Sequence, residues 1–566
     1  MKMKSSLKIV GILCSVLLVT PSVGTADEQV TQKARPNIVL ILADDLGYSD
    51  LGCFGGEIST PRLDGLAASG LRMTQLYNAA RCCSTRASLL TGLYPHQAGV
   101  GAMSADNHKP GYRGFLTNRA ICVATLLKDS GYRTYMSGKW HLRGKGNQAC
   151  IPTNHGFEEF FGHFRAYASY YRRDLFERHP AGRATKDYAD GEFYATDAIT
   201  DHAVDFLEAS AGQTSPFFLY VAYNAPHFPL QAPRDEIEKE LDTYRKGWDR
   251  IRNNRFQKKK TLGLLNDHVR LPARGHVTAV PDRNADSPYY DQNIPAWTEL
   301  DAARREDLAN RMATYAAMVR IMDRNVGRIV DQLSKMNCLE NTVLVFLSDN
   351  GACAEWDPFG FDNNPYPKNR LYQGDELALM GGPRTFHSYG TGWANACNSP
   401  FRLYKHYNHE GGISSPTIVH WPMGIQRSGE IERHPSHVID LVPTFLDLAG
   451  VSYPEEDTGL LPLAGTSLLG LWDGNSKLGS RVLFFEHEGN RAVRDGKWKL
   501  VWINHVQRWE LYNINEDRTE TNDLASEFPE VVADLKTRWL DWARNNFVEL
   551  QRVKQPEKGM PKIYYW

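Results

Sequence analysis

The sequence predicts an α/β protein: a large sheet sandwiched by helices, followed by a small C-terminal antiparallel sheet plus one helix. Three observations carry that prediction. Four apolar, β-rich runs lie between residues 37 and 351, and each ends in polar residues of catalytic type. Segments of helical periodicity separate them. From about residue 481 the texture changes to short alternating strands with glycine-containing turns such as Asp495-Gly496.

Residues 37–43 run into Asp44-Asp45, and residues 132–137 into Gly138-Lys139-Trp140-His141. Residues 217–223 run into Asn224-Ala225-Pro226-His227, and residues 342–347 into Ser348-Asp349-Asn350-Gly351. Continuous apolar runs of this length suit strands buried on both faces. Helical patterns occupy 61–69, 120–129, 195–210 and 306–335, an alternation that places helices on both faces of one sheet. Ligands of such sheets bind outside the carboxyl ends of the strands, where these run-ends gather. Residues 234–299 break the alternation; they are rich in charge, carry Lys258-Lys259-Lys260, and read as a surface excursion. The lysine run reads as a solvated helix end, with contact to an anionic polymer as the alternative. Further on, 482–486, 491–494, 497–503 and 508–512 read as strands and 527–546 as an amphipathic helix. The chain thus divides into a leader at 1–26, a main domain at 27–480 and a C-terminal α+β subdomain at 481–566.

The leader has a recognisable layout. Lys2, Lys4 and Lys8 flank an apolar stretch at 9–20 that is too short to span a bilayer comfortably. Gly24-Thr25-Ala26 offers small residues for cleavage before Asp27. An exported protein follows, periplasmic or secreted, with an uncleaved anchor as the alternative. No later stretch is long and apolar enough for stable membrane association. Lys plus Arg number 65 and Asp plus Glu 66, a formal net charge of −1, so nothing global points to nucleic acid. Any anion selectivity must be local. Nine cysteines include Cys14 of the leader, and their spacings show no dense disulfide framework. A disulfide between the adjacent Cys82 and Cys83 would be strained, so that pair needs another explanation.

Residues 84–90 read as a helix start, with Gly92 as a plausible stop, which puts Cys82 at the helix N-terminus. Free N–H groups and the helix dipole favour negative charge there. Arg86 follows about one turn later and can reach the same face. A nucleophile beside a fixed cation at a positive helix end suits attack on an anionic ester; a buried structural thiol is the alternative.

The stretch Cys82-Cys83-Ser84-Thr85-Arg86 with Thr91-Gly92 resembles the sulfatase signature, Cys-x-Pro-x-Arg followed by Thr-Gly. The chain is similar to the formylglycine-dependent (type I) sulfatases of the alkaline phosphatase-like superfamily, near the bacterial arylsulfatases. The likeness continues through residues 131–141, Asn224 to His227, Asp349 to Gly351, residues 402–412, Glu510-Leu511-Tyr512 and Thr521 to Leu524. It implies a mixed, mostly parallel sheet. It also implies that Cys82 is oxidised to formylglycine by a maturation enzyme, and that a sulfate ester is split into alcohol and sulfate. Ser84 stands where the signature has proline, a position belonging to the recognition element of that enzyme. Serine suits a helix start as well as proline does, so the departure touches conversion and not folding.

Asp44-Asp45 and Asp349-Asn350 supply oxygen ligands at two run-ends, a donor set for a hard cation such as Ca²⁺ or Mg²⁺; helix caps or turns are the alternative for each pair. The resemblance implies that these four bind calcium together with residue 82. It implies that Lys139 contacts sulfate and the aldehyde hydrate, that His141 is a base, and that His227 binds sulfate near the leaving oxygen. Lys405 matches the lysine that protonates or stabilises that oxygen. In the implied mechanism one hydroxyl of the hydrated formylglycine attacks sulfur, with Arg86 and Lys139 stabilising it. His141 then deprotonates the second hydroxyl and sulfate is expelled. The rival readings are a phosphonate or phosphodiester hydrolase with the same nucleophile and a non-catalytic receptor for sulfated glycans. The substrate is an aryl or carbohydrate sulfate; oligomeric state is left open. Loops 234–299 and 353–397 are expected to shape its pocket, with Trp356, Phe359, Phe361, Tyr366 and Tyr372 either stacking on a ring or packing the loops.

Overall fold

The first apolar run forms β1 (Asn37–Ala43), in which six of seven residues are buried. The computed structural model describes Met1, Met3 and residues 35–550, apart from 146, 277–288, 290–291, 356, 364–366, 455–457, 475–477 and 505. The rest of the leader, with Trp356 and Tyr366, lies outside the described residues. Along β1, Val39 and Ile41 join one apolar cluster while Ile38, Leu40 and Leu42 join another. That two-sided burial is the period-2 alternation of a strand, and each such side chain contributes about 1.5–3 kcal/mol of transfer free energy.

Around β1 are β2 (Leu71–Tyr77), β3 (Arg133–Lys139), β4 (Glu159–His163), β5 (Glu177–His179), β6 (Phe217–Ala222) and β7 (Thr342–Ser348). After a small ribbon of β8 (Asp362–Asn363) and β9 (Pro367–Lys368) come β10 (Ser414–His420), β11 (Ile431–Glu432) and β12 (Ser436–His437). The ten-stranded sheet runs β11-β2-β10-β7-β1-β6-β3-β4-β5, with β12 also on β2. The four strands from β7 to β3 are mutually parallel, as is β4 on β3, whereas β10 and β5 are antiparallel to their neighbours. The carboxyl ends of β7, β1, β6 and β3 therefore lie side by side. The sheet is mixed and mostly parallel, as expected.

The helices Ala195–Ser210 and Ala302–Lys335 cover one face, and Cys82–Thr91, Val123–Asp129 and Leu441–Ala449 cover the other. The long helix starts four residues before the predicted 306 because Asp301 caps it, its side chain accepting from Arg304 N–H. Conversely, the helix expected from 120 starts at Val123, since Ala120 N–H closes a turn on Thr117 instead.

Residues 234–261, the first part of the segment read as a surface excursion, are not one. The helices Arg234–Glu238, Leu241–Tyr244 and Trp248–Thr261 fold against the sheet's helical layer, and Trp248, Trp297 and Trp393 pack their rings together. The lysine run does close a helix, with Lys258 exposed as a helix end would have it, but Lys259 is not solvated. Lys259 is fully buried, with Nζ 4.2 Å from the Tyr48 ring centroid, and Lys258 Nζ donates to Gly56 O at 2.6 Å. Burial, with Arg255 and Arg518 nearby, holds the Lys259 amine well below the ordinary lysine range, so an aromatic face is a suitable neighbour.

The C-terminal strands are β13 (Val482–His487), β14 (Asn490–Asp495), β15 (Trp498–Ile503) and β16 (Arg508–Asn513), a sequential antiparallel sheet. The helix Pro529–Asn545 covers Val493, Leu500 and Leu511 on one face through Leu535, Trp539 and Ala543. The other face, with Phe485, Ala492, Val501 and Tyr512, packs on Tyr77, Ala80 and Ile413. This second sheet is thus buried on both sides.

Candidate active site

Helix Cys82–Thr91 begins at Cys82, with Arg81 extended at the N-cap and Gly92 at the C-terminal stop in the left-handed region (φ 70°). The first N–H groups of a helix have no intrahelical partner, so Cys82 sits in a field that favours an anion. Ser84 serves the fold directly: its hydroxyl donates to Val100 O at 2.9 Å. Cys82 Sγ lies 3.3 Å from His141 Nδ1 just beyond β3, and His141 holds a positive φ of 54°. Cys82 is 1% exposed. Hydrogen bonding from Cys83 lowers the Cys82 thiol well below the ordinary cysteine range, aided by Lys139, His141 and Lys405 against the effect of burial. Burial pushes His141 down to about 4, so its imidazole is a neutral base at pH 7.

All the predicted site residues converge. Arg86 holds Asp349 Oδ2 through Nη2 at 2.8 Å and Lys139 O through Nη1 at 2.7 Å. Lys139 Nζ reaches Asp44 Oδ2 at 2.5 Å. Lys405 Nζ pairs with Asp45 Oδ1 at 2.8 Å and lies 3.4 Å from His227 Nε2. Asn350 Nδ2 donates to Asp45 Oδ1 at 2.7 Å, and Asp45 N–H donates to Asp349 Oδ1 at 3.2 Å. Asp45 occupies the left-handed region (φ 64°), which Asp tolerates and which lets adjacent Asp44 and Asp45 converge after the strand.

Two acceptors in this cluster have no protein partner: Asp44 Oδ1 and Asn350 Oδ1 are buried and unbonded. Burial, together with the neighbouring Asp44, raises Asp349 to about 8, and burial also raises Asp44. Carboxylates packed this closely, with spare oxygens, fit a hard divalent cation. Asp45 differs. Burial would raise it, but Lys405, His227 and the Asn350 hydrogen bond together keep it below the ordinary value.

The cleft above Cys82 is walled by Arg81, His227, Glu355 and Lys405, and by Tyr167 and Phe228. Cys353 and Glu355 bring the loop after β7 to this cleft; among the described residues none of its lining comes from 234–299. Phe361 packs on Phe228 at 4.9 Å, Phe359 sits under Arg304, and Tyr372 donates to Asp362, so these aromatics pack the loops. Four polar residues here went unread in the sequence. His163 faces Lys139 across the β3–β4 register with both ring nitrogens unbonded, and the Asn224 side chain is likewise buried and unbonded. Arg81 and Glu355 are the other two. Only strand pairing reveals His163, whereas Asn224 belongs to a run-end already singled out and Arg81 adjoins the Cys82 segment.

Comparison with known proteins identifies the family. The Sulfatase family model matches residues 36–451, and the model for the C-terminal part of N-sulphoglucosamine sulphohydrolase matches 401–545. An uncharacterized sulfatase of Schizosaccharomyces pombe is 32% identical over 540 residues, covering 90% of this chain and 93% of that protein. The arylsulfatase of Klebsiella aerogenes is 32% identical over 460 residues, covering 77% and 92%. The solved structure of Ps i-CgsB in complex with k-i-k-neocarrahexaose is 27% identical, with a TM-score of 0.63 and coverage of 90% and 93%. By these matches the chain belongs to the sulfatase family and is a sulfuric ester hydrolase.

Proposed function

We propose that this enzyme hydrolyses aryl or carbohydrate sulfates with formylglycine, made from Cys82, as its nucleophile and with Ca²⁺ or Mg²⁺ held by Asp44, Asp45, Asp349, Asn350 and residue 82. The observation that carries the reading is the position of Cys82 on a helix N-terminus, 3.3 Å from His141 and between two lysine-bound carboxylates. Hydrated formylglycine supplies an attacking hydroxyl and a second hydroxyl for release of the sulfate. The bound cation offsets charge on the sulfate oxygens.

The chain's own residues supply the rest. Arg86, fixed by Asp349 and Lys139 O, is a rigid cation behind the nucleophile. Lys139 and His227 bind sulfate oxygens, and His141 Nδ1 takes a proton from residue 82. Lys405 Nζ, held by Asp45 in the cleft wall, gives its proton to the departing alcohol. The buried charges cost no reorganisation when the sulfur is attacked, because protein partners already orient them.

The leader at 1–26 sends the protein to the periplasm or outside the cell, and a formylglycine-generating enzyme acts on it first; no helix among the described residues is long and apolar enough to cross a membrane. The test is to purify the protein from its native host and measure sulfate release from aryl and sugar sulfates beside aryl phosphodiester hydrolysis. Mass spectrometry of the peptide spanning residue 82 accompanies it. Sulfate release with an aldehyde at residue 82 is expected. A strong phosphodiester preference would overturn the reaction, and an unmodified thiol throughout would overturn the nucleophile.

A further inference from the structure

Where β13 turns into β14, two metal-ligating side chains reach the rim of the cleft, and neither has a part in the chemistry above. His487 ends β13 and is fully buried, yet neither of its ring nitrogens meets a hydrogen-bond partner among the described residues. A buried imidazole with both nitrogens idle is costly. Glu488 follows it, and His406, next to Lys405, faces both. One nitrogen from each imidazole and one Glu488 oxygen all lie within 4.8 Å of one another. Glu488 Oε2 is 2.9 Å from His406 Nδ1, and Glu488 Oε1 is 3.7 Å from His487 Nε2. His406 and Glu488 both hold left-handed backbone (φ 81° and 50°), which residues other than glycine adopt rarely.

The far side of the His406 ring is already set for ligation. Its Nε2 lies 2.8 Å from Glu355 Oε1, and Arg81 pairs with the same oxygen at 3.3 Å. With the Nε2 proton donated to Glu355, the Nδ1 lone pair turns toward Glu488, and two acceptors 2.9 Å apart need a cation between them. Metal-bound imidazoles are held by a carboxylate on their other nitrogen in the same way. A second proton on His406 would satisfy that pair but leave His487 idle, whereas a metal ion engages all three groups. Arg81 Nη1 also lies 3.2 Å from His406 Nδ1; Glu355 offsets its charge, and Glu488 leaves one negative charge over for a cation. Two imidazoles and a carboxylate suit Zn²⁺ at bonds of about 2.0–2.2 Å, with water in the fourth position. We infer that His406, His487 and Glu488 form a second cation site, for Zn²⁺ or a divalent transition ion of like preference, which clamps the C-terminal sheet to the loop carrying Lys405. It shares no residue with the acidic cluster at the strand ends and does not depend on the sulfate-ester reading.

The test titrates Zn²⁺ into the mature full-length protein by calorimetry and follows the melting temperature, with excess Ca²⁺ present to occupy the acidic cluster. Wild type, His487→Ala and Glu488→Gln are compared. The wild type is expected to bind a single Zn²⁺ under these conditions and to melt higher with it. Losing a ligand costs at least what losing its hydrogen-bonding neighbour does, so affinity should fall about 100-fold in His487→Ala and about 10-fold in Glu488→Gln. The gain in melting temperature should shrink in the same order. Because Glu488 lies at an exposed turn, Glu488→Gln keeps the test decisive should His487→Ala fail to fold. No Zn²⁺ binding beside Ca²⁺, or equal affinity in wild type and Glu488→Gln, would overturn the inference. Sulfate release from the same samples is a separate readout: its absence would overturn the proposed reaction and leave the Zn²⁺ site standing.

Discussion

Two clusters of buried charge lie within this fold, and they are built differently. Around Glu410 and Glu520 every carboxylate oxygen has a donor or a cation against it: Lys499 bonds Glu410 Oε1 at 2.9 Å and forms an ion pair with Glu520 Oε1 at 2.8 Å without hydrogen-bond geometry, and Arg518 and Ser414 bond the second oxygen of Glu410. The second oxygen of Glu520 accepts from Glu410 N–H at 2.8 Å. At the strand ends, by contrast, Asp44 Oδ1 and Asn350 Oδ1 are buried without a bond. The first cluster is closed on itself and ties β15 and the segment after β16 to the segment before β10. The second is left open for something other than protein. Buried charge alone does not distinguish a site from a strut; the unfilled acceptors do.

Cys82→Ala is the strongest test of that contrast. It should lower kcat/KM on the order of 10⁴-fold or more while the melting temperature hardly moves, as measured by steady-state sulfate release and calorimetry. A folded variant with near-normal turnover would erase the distinction. Lys405→Ala should cost about 10²- to 10⁴-fold, with the larger losses on sulfates of poor leaving alcohols, as a proton donor requires. A loss independent of leaving group would reassign Lys405 to holding Asp45.

The closed cluster should answer in the opposite currency. Lys499→Met strands two buried carboxylates and should cost about 3–5 kcal/mol of unfolding free energy at pH 7, with kcat/KM little changed. Burial raises Glu410, but Lys499 and Arg518 outweigh it and hold its carboxyl below the ordinary 4.5. A carboxylate depressed in the folded state stabilises above its unfolded value and loses that contribution as pH falls. The difference between wild type and Glu410→Gln should therefore shrink below about pH 4.5 in denaturant titrations. The smallest effect belongs to the open cluster. Calcium at about 100 times its dissociation constant should stabilise the wild type by about 2.7 kcal/mol, and Asp44→Ala should abolish that increment.

Much of the open cluster was legible because each part closes a strongly apolar run. β1, β6 and β7 begin where the periodicity predicts, and Asp44, His227 and Asp349 follow their strand ends. The signature at Cys82 then links them to a known reaction. β2 and β10 were not legible. β2 interleaves Arg72, Thr74 and Gln75 with its apolar residues, and β10 carries Pro416 where the register with β2 shifts, a bulge that breaks the strand pattern. Lys259 was misread because a charge run ordinarily lies in water, and no local pattern announces an aromatic ring from a distant segment. Arg81, Glu355, His406 and Glu488 are single charged residues up to 407 positions apart, without periodicity or motif, and only the folded chain makes them neighbours.

The pairs that define the catalytic centre are as distant in sequence as they are close in space. Lys405 and Asp45 are separated by 360 positions, Asn350 and Asp45 by 305, and Arg86 and Asp349 by 263. Loops of that length must close before any of these contacts exists, and folds dominated by such closures form slowly. Catalytic competence is thus a late event in the life of the chain. On refolding, the helical signal should return before sulfate release does, and a chain released before residue 405 lacks the lysine proposed as proton donor.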